Sequence, residues 1–513
     1  MKMLLRFSGF TGHKEFSKMV EKPTLKRVLK NFTSMSSIHS KARMENPCET
    51  VVDSGALREM PEPKGLPVLG TIVDLIISGG AAKLHLYNDK RHAELGPIYR
   101  ERIGSVKAVF INSPDEFRRV FRLEGPKPIH FLPEAWTLYN EIRKCKRGLF
   151  FMDGDEWLYF RRIANKLLLR PKSEEFMSRP CQNAADSLAS RWEIYSENGK
   201  LIPELEAQLY QWSIEVMLAT LMGRNKWEEY GPNIMRKSEN LAKNLHMIFE
   251  YSATLSLIPA KLAMRIKLPI WKKFVGSIDE VMEIVRILVP EIIRLDGDGL
   301  TTMILDEGVQ GEDLVRIVAD LILAAGDTTA YSMQWALFLL ASHPDVQERL
   351  YESIKSLDQD EIPKDPFLKG VIKESLRLYP TAPFLTRFLP EDNIIGGYRV
   401  AKGELLLLSL YSSGRNDANF PEANEFRPER WIRTSTGEYK GVINPHATLP
   451  FALGARSCVG RKLAEYQISL TLAKIVKTFR MDCTNKDSVE MILHLVPVPS
   501  EPIQLLLTKR SWP

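Results

Sequence analysis

A mainly α fold with a smaller β region is the architecture this sequence predicts, and three observations predict it. Residues 155 to 380 carry mostly helical apolar periodicity, including one stretch of about thirty residues that is apolar nearly all round. Short β-like runs lie outside that block, at 108–111, 394–411 and 491–507. The residues able to carry chemistry are spread widely along the chain yet make sense only together. That argues for one domain, although 513 residues would by length alone suggest about three. With 44% of its residues hydrophobic, the chain can fill one large core.

The elements follow in order. Residues 1–43 hold ten Lys or Arg against only Glu15 and Glu21, and they are rich in Ser and Thr. They contain no apolar run long enough to cross a bilayer and no secretory apolar core. A basic, Ser-rich, acid-poor start is typical of an organelle transit peptide, with a plain disordered tail as the alternative. We therefore expect a mitochondrial transit peptide over 1–45, a polar linker over 46–59 and one folded domain over 60–513. Met60-Pro61-Glu62-Pro63-Lys64-Gly65-Leu66-Pro67 is too proline-dense for helix or central strand and reads as a stiff lead-in. Ala108–Ile111 is a short strand stopped by Asn112-Ser113-Pro114. The long apolar helix spans Gly311 to Ser342 and ends before His343-Pro344. A second helix covers Asp345 to Lys355, Leu405 to Leu410 read as strand, and a last helix covers 458–479.

Composition excludes several classes. The net charge is +6, from 70 basic and 64 acidic residues, with no basic tract, so no nucleic-acid partner is expected. Five scattered cysteines, Cys48, Cys145, Cys181, Cys458 and Cys483, show neither zinc spacing nor a disulfide framework. A reducing compartment is the better reading.

One cysteine stands apart. In Phe451-Ala452-Leu453-Gly454-Ala455-Arg456-Ser457-Cys458-Val459-Gly460-Arg461-Lys462, two glycines bracket Cys458 in a tight loop and a helix follows at once. Glycines let backbone N–H groups approach the sulfur, and a helix N-terminus adds partial positive charge. Both favour thiolate over thiol. The spacing FxxGxRxCxG before a helix resembles the haem-binding signature of the cytochrome P-450 family. It fixes five positions in ten. The resemblance implies the P-450 fold, with haem b (iron protoporphyrin IX) as cofactor. Cys458 is the expected axial ligand, Phe451, Gly454 and Gly460 shape its loop, and Arg456 neutralises a propionate. A buried cysteine in a glycine turn is the bland alternative.

The remaining motifs extend the resemblance over residues 60 to 510. Glu374 and Arg377 share a helix face in Lys373-Glu374-Ser375-Leu376-Arg377. Alone they would be an ordinary ion pair. With Arg430 of Phe426-Arg427-Pro428-Glu429-Arg430-Trp431 they match the family's buried triad. Trp157 and Arg161 resemble its WxxxR propionate contact, and Arg387 in Pro383-Phe384-Leu385-Thr386-Arg387 a further one. Asp327 and Thr328 interrupt the apolar run of the long helix, where a charge is costly without a task. In the family such an acid–Thr pair delivers protons for dioxygen activation, and the threonine loosens one helical hydrogen bond. The alternative is a threonine bonded back to the preceding turn and an aspartate paired elsewhere. The family usually has Gly two residues before the acid; here Ala325 stands there, with Gly326 beside it.

The chain shows no flavin, dinucleotide or iron–sulfur fingerprint, so electrons must come from outside. Lys369 and Lys373 lie four apart on the helix of Glu374. They resemble the lysines with which mitochondrial members dock an acidic ferredoxin; a solvated basic face is the alternative. Arg461 and Lys462 would extend that surface. The expected partners are an adrenodoxin-type ferredoxin with its NADPH-dependent reductase, a lipophilic small molecule, and a membrane touched peripherally, on the matrix side of the inner membrane. Within the family the chain most resembles arthropod ecdysteroid hydroxylases. That implies a sterol- or steroid-like substrate, an ecdysteroid precursor in moulting-hormone biosynthesis, oxidised at carbon 2. Ala382–Thr386 and Leu321–Ala325 are the expected substrate-facing residues. A xenobiotic or fatty-acid monooxygenase is the runner-up. A reductant-independent haem-thiolate isomerase or dehydratase, or a haem sensor, would have no use for Asp327 and Thr328.

Overall fold

The computed structural model describes residues 58–146, 148–256 and 258–510. The expected transit peptide and most of the expected linker lie outside the described residues. Helices dominate, as the periodicity predicts, and those that build the site are labelled here in chain order. They are α1 (Ile72–Ile77), α2 (Gly154–Leu168), α3 (Glu174–Glu197), α4 (Leu205–Met222), α5 (Glu239–Leu255), α6 (Gly311–Ser342), α7 (Pro366–Leu378) and α8 (Arg461–Thr478).

The long apolar helix is α6, with the bounds its sequence suggests. It can be apolar all round because it is surrounded: α4, α5, α7 and α8 all pack against it, and most of its side chains from Leu314 to Ala341 are buried. α4 lies beside it along much of its length, and α3 closes the other side of α4 and packs on α8. One large apolar core runs through all of these helices.

The β region is small and divided. The main sheet orders its strands β1-β2-β4-β3, with β1 Ile98–Ile103, β2 Val106–Ile111, β3 Phe384–Phe388 and β4 Leu405–Ser409. β2 and β4 are parallel, with Ala108 opposite Leu405, and β3 is antiparallel to β4, with Arg387 opposite Leu406. Leu410, expected as strand, begins a short helical turn instead. The C-terminal β stretch also differs in its pairing: Met491–His494 pairs with Val496–Pro499, whereas Leu505–Lys509 pairs back to Phe479–Cys483. The last strand packs against α3 and pairs with the strand that follows α8, rather than extending a hairpin. Smaller apolar clusters under the main sheet and beside Trp431 accompany the large helical core.

Candidate functional site

The cysteine loop is held by its own backbone. The Cys458 N–H donates to the Phe451 carbonyl at 2.8 Å and the Ser457 N–H to the Gly454 carbonyl at 3.2 Å. Gly454 has φ +77° and no room for a side chain, since a Cβ there would lie 1.9 Å from Glu124 Oε1. Glu124 is a buried carboxylate that accepts from the Ala455 N–H at 2.9 Å and from Arg387 Nε at 2.5 Å. It therefore ties the loop to β3. Burial raises the Cys458 thiol, and the Gly460 amide, Arg161 and Arg461 pull it back toward thiolate. Its side chain is nevertheless accessible.

Cationic side chains line one side of this loop. Trp157 and Arg161 stand one turn apart on α2, both buried. Arg161 Nη2 donates to the Ser457 carbonyl at 2.6 Å, and the Arg456 guanidinium lies 4.4 Å over the Trp157 ring. Arg456 donates to the Pro128 and Met152 carbonyls at 2.5 and 2.6 Å and to Asp153 Oδ1 at 2.5 Å. Burial lowers it to about 10, even with Asp153 beside it. Next to Arg456 and Arg387 lies His130, which burial and these two guanidiniums push down to about 3. Arg161 Nε, Arg387 Nη2 and both His130 ring nitrogens are buried without a protein hydrogen-bond partner. Buried unpaired donors cost about 1–3 kcal/mol each. A cluster of them around an accessible cysteine fits a group that bears carboxylates and takes a thiolate ligand, which is what haem b presents.

The middle of α6 also carries an accessible stripe. Ala324 is exposed and Thr328 half-buried, although their neighbours Leu323, Gly326 and Asp327 are buried. This one stripe of a central helix therefore faces open space. Thr328 Oγ1 donates back to the Ala324 carbonyl at 2.6 Å, and α6 continues without a break. Asp327 points the other way, where the Tyr210 hydroxyl donates to its Oδ1. Both local features weighed as the alternative, the back-bonded threonine and the partnered aspartate, are thus present. Gly326 also faces α4: a Cβ there would lie 2.6 Å from the Tyr210 hydroxyl. It does not restore the groove-side glycine that Ala325 replaces. Ala382, Phe384, Leu385 and Thr386 are half-buried and Pro383 is buried.

The three triad residues come together in the core under the loop. Glu374 accepts from Arg377 at 2.7 and 2.9 Å, Arg430 Nε at 2.8 Å, Trp431 Nε1 at 2.8 Å and the Arg427 N–H at 3.1 Å. Arg377 also donates to the carbonyls of Gly414, Ala423 and Glu425. Arg430 donates to those of Pro421, Glu422 and Gly441. Each carbonyl belongs to the loop between β4 and α8, so two guanidiniums and one carboxylate fix a long irregular segment.

Similarity to known proteins agrees with this arrangement. The sequence profile of the Cytochrome P450 family matches residues 60–507. The chain belongs to the cytochrome P450 family. It is 41% identical to "Cytochrome P450 315a1, mitochondrial" of Drosophila melanogaster over 88% of this chain and 89% of that one. It is 30% identical to "1,25-dihydroxyvitamin D(3) 24-hydroxylase, mitochondrial" of Rattus norvegicus, over 94% and 95%. With "Cytochrome P450 11B2, mitochondrial" of Mesocricetus auratus the identity is 29%, over 84% and 88%. As a P450 the protein is an oxygen-incorporating oxidoreductase that binds haem b.

The two lysines on α7 differ in this P450. Lys369 is exposed. Lys373 is half-buried, donates to the Tyr439 hydroxyl at 3.1 Å and sits over the Trp431 and Tyr439 rings at 5.5 and 5.1 Å. Lys462 donates to the Arg170 carbonyl at 2.7 Å. Lys369 is the freer cation of the expected pair.

Sequence reasoning missed Glu124, His130 and Tyr210. Glu124 and His130 flank a proline-rich turn that carries no spacing signal. Tyr210 lies on a helix whose face is set by α6, so only the packing reveals its partner.

Proposed function

We propose that this P450 is a mitochondrial monooxygenase that hydroxylates an ecdysteroid precursor at carbon 2, using electrons from an adrenodoxin-type ferredoxin reduced by an NADPH-dependent reductase. The observation that carries the monooxygenase chemistry is the accessible Cys458 with unsatisfied cationic donors beside its loop, in a chain whose central helix opens an Ala324–Thr328 stripe. Haem held on Cys458 supplies dioxygen activation. Trp157, Arg161, Arg387 and Arg456 orient its carboxylates, Thr328 lines the oxygen side, and Asp327 supplies protons. Glu374, Arg377 and Arg430 keep the loop beneath Cys458 in place. Ala382–Thr386 and Leu321–Ala325 hold the substrate. Exposed Lys369, with Lys373 behind it, meets the ferredoxin.

Support for a steroid-like substrate comes from the relatives, whose names include a vitamin D hydroxylase and an insect mitochondrial P450. Those names also support import, with residues 1–45 as the leader, 46–59 as linker and 60–513 as one domain. No helix among the described residues is long and apolar enough to cross a membrane. Leu66, Val68, Leu69, Val73 and Ile77 expose a large apolar area on and before α1. Such a patch suits peripheral contact with the matrix face of the inner membrane.

Incubation of the haem-loaded enzyme with a 2-deoxy ecdysteroid, ferredoxin, reductase and NADPH tests the reading, with each component omitted in turn. The expected result is a 2-hydroxylated product that requires all of them. Product formed without reductant, or preferential turnover of fatty acids, would overturn it.

A further inference from the structure

We propose that Asp327 is loaded with protons from the α4–α5 side of the central helix, through Tyr331, Glu206 and His246, with Tyr210 as the positioning residue that holds its carboxyl on that side. The inference rests on the oxygen-activating reading of Asp327 and Thr328.

The geometry is that of two antiparallel helices in register. Glu206 and Tyr210 lie one turn apart on α4, and Tyr331 and Asp327 lie one turn apart on α6, so the two pairs face each other. At the inner end the Tyr210 hydroxyl meets Asp327, and its ring can do so only because Gly326 has no side chain. Ser213, on the same side of α4, donates to the Ala325 carbonyl at 2.8 Å and fixes the approach of the two helices. At the outer end the buried Tyr331 hydroxyl donates to Glu206 Oε1 at 2.7 Å and lies 3.2 Å from His246 Nδ1 of α5. The His246 and Glu206 side chains are 31% and 44% accessible, so this end reaches water. Glu250 of α5 and His494 of the Met491–His494 strand are the other titratable groups facing it.

Chemistry favours transfer along this line. Burial raises Asp327 to about 8, the Tyr210 hydroxyl lowers it, and the Glu206 charge raises it, so the carboxyl exchanges protons near neutral pH. A proton enters at Glu206 or His246, exchanges across the Tyr331 hydroxyl and crosses the last turn, about 5.4 Å of helix, by a bridging water. Asp327 takes it up and, on turning from Tyr210, gives it to the groove where Thr328 lies. One proton enters for each that leaves, and no electron moves. The two residues of the acid–Thr pair then have separate posts: Thr328 on the groove, Asp327 at the inlet.

Two measurements test this. Infrared titration of the resting, haem-loaded enzyme reads the protonated carboxyl band that Asp327→Asn removes. The expected wild-type midpoint is about 8, and it moves upward in Tyr210→Phe, which loses a donor to the ionised form. In turnover, Tyr331→Phe and Glu206→Gln should raise peroxide released per product severalfold and enlarge the solvent deuterium isotope effect. Their substrate-induced haem spectral change should match that of the wild type. A Tyr210→Phe band that does not move overturns the inference, as does wild-type peroxide release in Tyr331→Phe. A wild-type enzyme that consumes no dioxygen with ferredoxin and reductase would sink the oxygen-activation reading itself, and the relay with it.

Discussion

Replacing Glu374 by glutamine keeps the shape of the side chain and removes its charge. The carboxylate accepts five hydrogen bonds, three of them from Arg377 and Arg430, in a place with no access to solvent. The amide keeps one acceptor oxygen, and its NH2 group would point at guanidinium or indole donors that can only donate. Two buried guanidiniums would then share no counter-charge. Breaking a buried pair by removing one partner costs about 3–5 kcal/mol. Whole domains are stable by only ~5–15 kcal/mol, so about a fifth or more of the total is at stake. Urea denaturation of the haem-loaded protein, followed through the haem spectrum and through far-ultraviolet dichroism, measures the loss. Arg430→Met and the double variant complete a cycle, in which the two single losses should exceed the double by more than ~1 kcal/mol. A Glu374→Gln protein within ~0.5 kcal/mol of the wild type would refute the view that this carboxylate organises the β4–α8 loop.

Other outcomes follow from the same contacts. Gly454→Ala places a Cβ at φ +77° against Glu124, which is pinned by Arg387 and Ala455, and should cost about 1–3 kcal/mol and speed haem loss, measured by transfer of haem to an acceptor protein. Lys369→Glu should slow ferredoxin-supported turnover several-fold at low salt, and the deficit should shrink above ~0.1 M salt in a stopped-flow salt series. Lys373→Glu should in addition lower stability, because its ammonium is held by Tyr439. Asp327 has a folded pKa of about 8, above its ordinary 3.8, so the folded state binds the extra proton between these values and stability falls as pH rises through that window. Asp327→Asn removes this dependence, and its gain in denaturation midpoint should be larger at pH 8 than at pH 5.

The parts of this protein that were legible in its sequence are those where local pattern and burial coincide. α6 could be bounded from its apolar run and the His343-Pro344 stop, because a helix surrounded on every side has no polar face to blur the signal. The cysteine loop and the Glu374–Arg377 pair were legible because their spacing is itself the geometry: a tight glycine turn in one case, one helical turn in the other. Pairing between distant strands was not, and the C-terminal strand chose Phe479–Cys483 because a short apolar run does not encode its partner. Glu124 illustrates the same limit at the site. A glutamate in a proline-rich turn reads as solvent-exposed, and only the meeting of residues 124, 387 and 455 makes it a buried bridge. The orientation of Asp327 was equally hidden, since the sequence placed it beside Thr328 but could not say that its carboxyl turns toward Tyr210 of α4.

The Glu124 bridge also constrains when the site can exist. Its bond to Ala455 spans 331 residues, and the bonds from Arg456 to Pro128 and from Arg161 to Ser457 span 328 and 296. Contacts of such separation form late, because the entropy of closing the loop is lost before any contact energy is gained. A chain that emerges N-terminus first cannot present a finished thiolate loop until almost all of it has emerged. The helices can collect around α6 earlier, but the cationic edge and the cysteine must wait for the final sixty or so residues. Haem capture is then a closing event of folding, and truncation near the C-terminus should leave a helical protein that cannot hold haem.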